Sequence, residues 1–138
     1  MKRRKAREFA LQILYQYDIT GHLPDDETFN GRREGSPVSG DVNDFAKDLV
    51  FGTIENIEEI DGILLSAARN WEIGRIAAVD RGILRLSIYE LLFRDDIPAA
   101  VTLNEAIEIA KKYSTGESYS FINGILDNVR KTINKRVH

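Results

Sequence analysis

The chain has 138 residues, with 19 Lys and Arg, 22 Asp and Glu, two His, one Trp and no Cys, for a formal net charge of −3. A chain of this length buries roughly 68% of the surface its unfolded form exposes, so one domain with its own core is expected and a disordered or fibrous chain is not. Without cysteine there are no disulfides, thiolate nucleophiles or Cys-based zinc or iron–sulfur sites; two distant histidines make no metal centre, and no apolar run approaches the ~20 residues that cross a bilayer. A reducing, cytoplasmic setting is expected, with no membrane, metal or cofactor.

Arg4 to Tyr17 places Ala6, Phe9, Ala10, Ile13, Leu14 and Tyr17 at intervals of three and four, which predicts a helix with one buried face. Leu11 and Tyr15 fall off that stripe, and exposed aromatics are enriched at interfaces. Lys2, Arg3, Arg4, Lys5 and Arg7 load the opening turns with cations. The helix dipole disfavours them there by about 0.3–1 kcal/mol per charge, so they serve something other than helix stability. Residues 18–41 lose the period and carry Gly21, Pro24, Gly31, Gly35, Ser36, Pro37, Ser39 and Gly40; a flexible loop with one helical turn around Asp25 to Phe29 is expected. Val42 to Ile57 resumes the helical period with Asp41 as N-cap, and Ile60, Ile63, Leu64, Ala67, Ala68 and Trp71 share the face of a third helix.

Residues 75–94 form the most apolar helix, apolar on nearly all sides and so expected at the centre of the fold. Asp95-Asp96-Ile97-Pro98 ends it. Thr102 and Glu105 have the spacing of a capping box, which predicts that the next helix opens at Thr102 and runs to Tyr113. Ser114 to Ser118 turns around Gly116, and a last helix runs from Tyr119 to Ile133, with Ile122, Ile125, Leu126, Val129 and Ile133 inward. Arg130, Lys131, Lys135 and Arg136 close the chain, and between the two basic ends residues 8–129 hold ten basic residues against all 22 acids, a net −12. Basic ends on an acidic body point to a polyanion partner, with solvated tails as the alternative. No strand alternation appears. The expected fold is all-α, six to seven helices in two packed bundles, a single domain over 1–138 divided into a subunit of 1–71 and one of 75–138.

No nucleotide-binding glycine loop, zinc spacing or nucleophile elbow is present. His22 and His138 read as surface residues, and Glu58-Glu59, Asp61 and Asp95-Asp96 as solvated charge at helix ends or on polar faces. No catalytic constellation follows. Asp80, Arg81 and Arg85 inside the most apolar helix require a reason: an ion pair within the fold and a charged anchor on a partner-binding face stand as alternatives.

Four blocks occur in order: Arg4-Lys5-Ala6-Arg7-Glu8-Phe9-Ala10-Leu11-Gln12-Ile13-Leu14-Tyr15, then Val79-Asp80-Arg81-Gly82-Ile83-Leu84-Arg85-Leu86-Ser87-Ile88-Tyr89-Glu90-Leu91, then Asn104-Glu105-Ala106-Ile107-Glu108-Ile109-Ala110-Lys111, then Phe121-Ile122-Asn123-Gly124-Ile125-Leu126-Asp127. With Ile97-Pro98 between the second and third, they resemble the NusB family of transcription antitermination factors, across the chain apart from residues 18–41. The resemblance implies an all-helical, non-enzymatic RNA-binding protein that pairs with NusE, a small-subunit ribosomal protein. The pair binds single-stranded boxA RNA and joins other antitermination factors on RNA polymerase during ribosomal RNA synthesis.

Carried onto this sequence, the resemblance makes Lys2, Arg3, Arg4, Lys5 and Arg7 the cationic RNA-contacting segment, and Lys111 a further phosphate contact. Tyr113, Glu117 and Phe121 fall on the family's RNA-contacting turn. Tyr113 is then the base-stacking residue, with a half-buried core tyrosine as the alternative, and Glu117 an acceptor for a base donor. Tyr15 and Asp80 match positions facing NusE, with Arg85 supporting Asp80 or the turn. Cations on phosphate and aromatic rings on unpaired bases are the physical means of holding a single strand. A helical assembly module that contacts only protein is the second reading. NusB-like domains also precede RNA cytosine methyltransferases, which need an α/β cofactor domain and a cysteine that this sequence lacks. An exposed aromatic face also suits a homodimer.

Overall fold

The computed structural model describes residues 2–30, 40–68 and 73–133; Trp71, His138, Lys135, Arg136 and most of the Gly-rich stretch lie outside them. Seven α-helices carry the described residues: α1 (Lys2–Thr20), α2 (Asp26–Asn30), α3 (Gly40–Glu55), α4 (Ile57–Ala68), α5 (Ala78–Phe93), α6 (Ala99–Tyr113) and α7 (Ser118–Ile133), with a 3-10 turn at Ile73–Arg75. No strand occurs among the described residues.

Local chemistry explains the helix ends. α1 runs past Asp18 to Thr20, where Gly21 at φ 76° stops it and donates its N–H to the Tyr17 carbonyl at 2.8 Å. The expected short turn is α2. The Asp25 carboxylate accepts the Thr28 N–H at 3.2 Å, and α2 seats the buried Phe29 ring 5.8 Å from Phe9 and 5.5 Å from Phe51. The loop's one large ring thus ties α1 to α3.

The capping box does not form. α6 opens three residues earlier, at Ala99, with Pro98 in the N-cap position at φ −61° and ψ 144°. Proline has no N–H to lose at a helix entrance, and its fixed φ already suits one. That frees Thr102 to turn inward, where its hydroxyl donates to a Glu90 carboxylate oxygen at 2.8 Å, and frees Glu105 to bind Arg4.

The most apolar helix is central: α5 packs against α1, α3, α4, α6 and α7. Two glycines let neighbours come close. A Cβ at Gly52 of α3 would lie 2.3 Å from the Tyr89 ring, and one at Gly82 of α5 would lie 2.8 Å from Leu11 Cδ1. Leu11, expected off the buried stripe, is therefore 5% exposed, because the gap above Gly82 widens the face that α1 buries.

The two arginines of α5 form ion pairs within the fold, with acids of neighbouring helices. Arg81 Nε reaches Asp18 at 2.9 Å and its Nη1 reaches the Ile76 carbonyl at 2.7 Å. Arg85 takes both carboxylate oxygens of Asp61 at 2.8 Å and touches Asp18 at 3.3 Å. Arg85 thus supports the junction of α1, α4 and α5 and not Asp80, and Asp61 is a structural acid rather than a solvated one.

Candidate nucleic-acid interface

The basic end of α1 lies along α6. Arg4 Nε and Nη2 hold the two carboxylate oxygens of Glu105 at 2.8 and 2.7 Å, and Glu8 meets Lys112 at 3.2 Å. Both pairs bridge α1 to α6, so the two helices are joined by charge.

The five N-terminal cations are not equivalent. Lys2 opens α1, its side chain outside the described set, and Lys5 is exposed. Arg3 lies over the Phe45 ring at 4.4 Å and 3.9 Å from Asp96. Arg7, expected among the RNA-contacting cations, is only 3% exposed. Its Nε and Nη2 bind Glu90 at 2.6 and 2.9 Å, and Nη1 stands 3.7 Å from Glu105. The helical period explains the correction, since Arg7 shares the face of Leu11 and Leu14 and points into the fold.

The C-terminal end of α6 and the turn to α7 add aromatic surface. Tyr113 and Tyr119 are 38% and 37% exposed. Lys112 Nζ lies 5.3 Å from the Tyr113 ring centre, and Lys111 Nζ lies 5.2 Å from that of Tyr119. Tyr119 is a candidate that the sequence did not single out. It keeps the three-residue spacing to the buried Ile122 and so reads as core, but it sits in the first turn of α7 beside the end of α6. Glu117 is exposed in the turn, where Gly116 takes φ 57°, whereas Phe121 is half-buried against the core.

Charge is firmly fixed across this face. The Arg4 guanidinium, through its hydrogen bond, holds the Glu105 carboxyl below the usual carboxylate range, and Arg94 holds Asp96 down to about 2. Glu8, by hydrogen bond and charge, raises the Lys112 ammonium.

Of the two positions expected to face a protein partner, Tyr15 is 40% exposed and Asp80 only 5%. Asp80 accepts a hydrogen bond from the Ser114 hydroxyl at the C-cap of α6, which ties the start of α5 to the end of α6. It is held within the fold and is not offered outward as expected. Beside it a cleft of about 370 Å³ opens between Arg75, Glu117 and Phe121. Among the described residues no group of three or more His, Cys, Asp or Glu is placed to hold a metal ion, and no helix is long and apolar enough to cross a membrane.

Residues 4–131 match the NusB family. A transcription antitermination protein NusB from Thermodesulfovibrio yellowstonii is 47% identical over 140 residues, covering 95% of this chain and 93% of the relative. NusB from T. maritima superposes with a TM-score of 0.83 at 37% identity, over 94% of this chain and 90% of that one. A chain from a crystal structure of the antitermination factors NusB and NusE in complex with dsRNA superposes with a TM-score of 0.84 at 30% identity, over 95% of this chain and 97% of that one.

Proposed function

This chain belongs to the NusB family, and from that premise we propose that it is a transcription antitermination factor that binds boxA-type single-stranded RNA together with NusE. The complex joins RNA polymerase and other antitermination factors during ribosomal RNA synthesis. It works by binding alone, without a catalytic step, in the cytoplasm.

The observation that carries this reading is the side-by-side placement of the α1 cations and the Tyr113–Tyr119 turn, joined through Arg4–Glu105 and Glu8–Lys112. Arg3, Arg4, Lys5 and Lys111 meet phosphates. Tyr113 and Tyr119 stack unpaired bases, each worth about 1–3 kcal/mol. Glu117 accepts from a base amino group, and Phe121 holds the turn against the core. Arg7 and Asp80 act one step back: Arg7 fixes α1 through Glu90, and Asp80 fixes the turn through Ser114. Tyr15 contributes to the protein-binding surface.

Fluorescence anisotropy of labelled RNA tests the reading, with single-stranded boxA, a scrambled strand and a boxA duplex, each with and without NusE. The single strand should bind best, and NusE should tighten it. Equal affinity for all three RNAs would reduce the activity to polyanion attraction. No binding even beside NusE would favour an assembly module that contacts protein only.

A further inference from the structure

The cations of this face already have anionic partners. Arg3 stands near Asp96, Arg4 is held by Glu105, Arg7 by Glu90, Lys111 by Glu108 and Lys112 by Glu8. A strand approaching from solution therefore meets a weaker field than the run of basic residues suggests, since charges paired within a few ångströms largely cancel beyond a Debye length of about 8 Å.

Arg4–Glu105 differs from its neighbours in construction. The bond is two-pronged, with Arg4 Nε and Nη2 both committed, and the Glu105 side chain is largely buried while that of Arg4 remains about one-third exposed. A phosphate offers the same two-oxygen geometry as a carboxylate, so it competes for the very donors that Glu105 occupies. Room for it exists in a cleft of about 260 Å³ beside the pair, bordered by Arg3, Arg4, Pro98 and Val101 and by two acids, Asp96 and Glu105 itself. Glu105 has somewhere to turn when Arg4 leaves, because Arg7 Nη1 stands 3.7 Å away and is itself anchored on Glu90.

We infer that Glu105 sets the RNA affinity of this face by holding Arg4 in reserve: an RNA phosphate takes Arg4 by displacing Glu105, which stays paired with Arg7. The affinity of the free chain is kept below what its arginines could deliver, and more of the binding depends on the other contacts and on the protein partner. The inference rests on the RNA reading above. It also assigns Arg7 a part in the exchange, as the residue that keeps the released carboxylate from being buried unpaired.

The test is a salt titration of single-stranded boxA binding by the full-length chain and its Glu105→Gln variant. Glu58→Gln, on an exposed acid of α4, serves as the net-charge control, and melting curves check the fold. Glu105→Gln should bind several-fold tighter at every salt concentration, with the slope of log K against log salt unchanged, because Arg4 meets one phosphate in both complexes. The gain should vanish in the Arg4→Ala background. Should Glu105→Gln melt too early to be read, Glu105→Asp, which keeps the charge and shortens the reach, should show a smaller gain of the same sign. Weaker or unchanged binding by these variants would overturn the inference, as would an equal gain in Glu58→Gln or a gain that survives without Arg4. All of these outcomes leave the RNA reading standing. A wild-type chain that binds no RNA at any salt removes both.

Discussion

Arg7 illustrates how far a residue's type differs from its use. In the sequence it is the last of five cations; in the fold it is enclosed by Glu90, Glu105 and, through Glu90, Thr102. Its fate was legible from its spacing to Leu11 and Leu14, but the run of charge around it argued the other way. Arg7→Ala should destabilise the chain by about 3–5 kcal/mol, because it strands a buried carboxylate. Arg3→Ala, at an exposed site, should change stability by about 1 kcal/mol or less. Urea unfolding midpoints separate the two, and equal midpoints would show that Arg7 is not the anchor described. Tyr89 offers a second check. Burial, followed by its hydrogen bond to Asp48 at 2.8 Å, pushes its phenol from 10.0 up to about 12. Because the folded phenol holds its proton more tightly than the unfolded one, this contribution is whole below pH 10 and is lost as pH rises through about 12. Ultraviolet titration of phenolate should show one of the five tyrosines ionising near the upper value. Phe at position 89 should remove that step.

At the scale of elements, hydrophobic period was a sound guide, since α1, α3, α4, α5, α6 and α7 all fall where it placed helices. It failed where tertiary contacts competed for the same side chains. Thr102 and Glu105 had the spacing of a cap, yet Glu90 and Arg4 offered them stronger partners. The close approaches at Gly52 and Gly82 were equally hidden, because a glycine in a helix announces no neighbour. They are also unequal. Gly52→Ala drives a methyl group into a ring held by Asp48 and should cost about 1–3 kcal/mol. Gly82→Ala meets only Cδ1 at the tip of Leu11, a flexible side chain, and the gain of roughly 1 kcal/mol in helix propensity offsets much of the strain. Thermal melts of the two variants should rank them in that order; a Gly52→Ala variant as stable as wild type would mean that α3 and α5 are not wedged together at Tyr89.

Over the whole molecule, the distribution of charge matters more than its sum. The run of cations at the start of the chain was legible in the sequence. Spacing had no means of revealing that the cations are matched by acids more than a hundred positions away, such as Arg4 by Glu105, 101 positions on, and Lys112 by Glu8, 104 positions back. These acids set a response to pH. Asp96 is lowered from 3.8 to about 2 by Arg94, so its stabilisation is complete above about pH 4 and is withdrawn as pH falls toward 2, and Glu105, lowered from 4.5 by Arg4, acts in the same direction. Circular dichroism should show helix retained at pH 4 and a loss that Asp96→Asn reduces in its dependence on pH between 4 and 2.

The central position of α5 carries a consequence for any attempt to divide the chain. A helix that lends its surface to five others belongs to neither half, and it is the last element to open because every neighbour must release it. Backbone amides of α5 should exchange with deuterium at one shared rate, that of global unfolding. If the chain is cut ahead of α5, α1, α3 and α4 lose the wall on which they close, while α5 stays packed on α6 and α7. The first piece should be unstructured alone and regain helix when mixed with the second, as a cast that sets only against its mould.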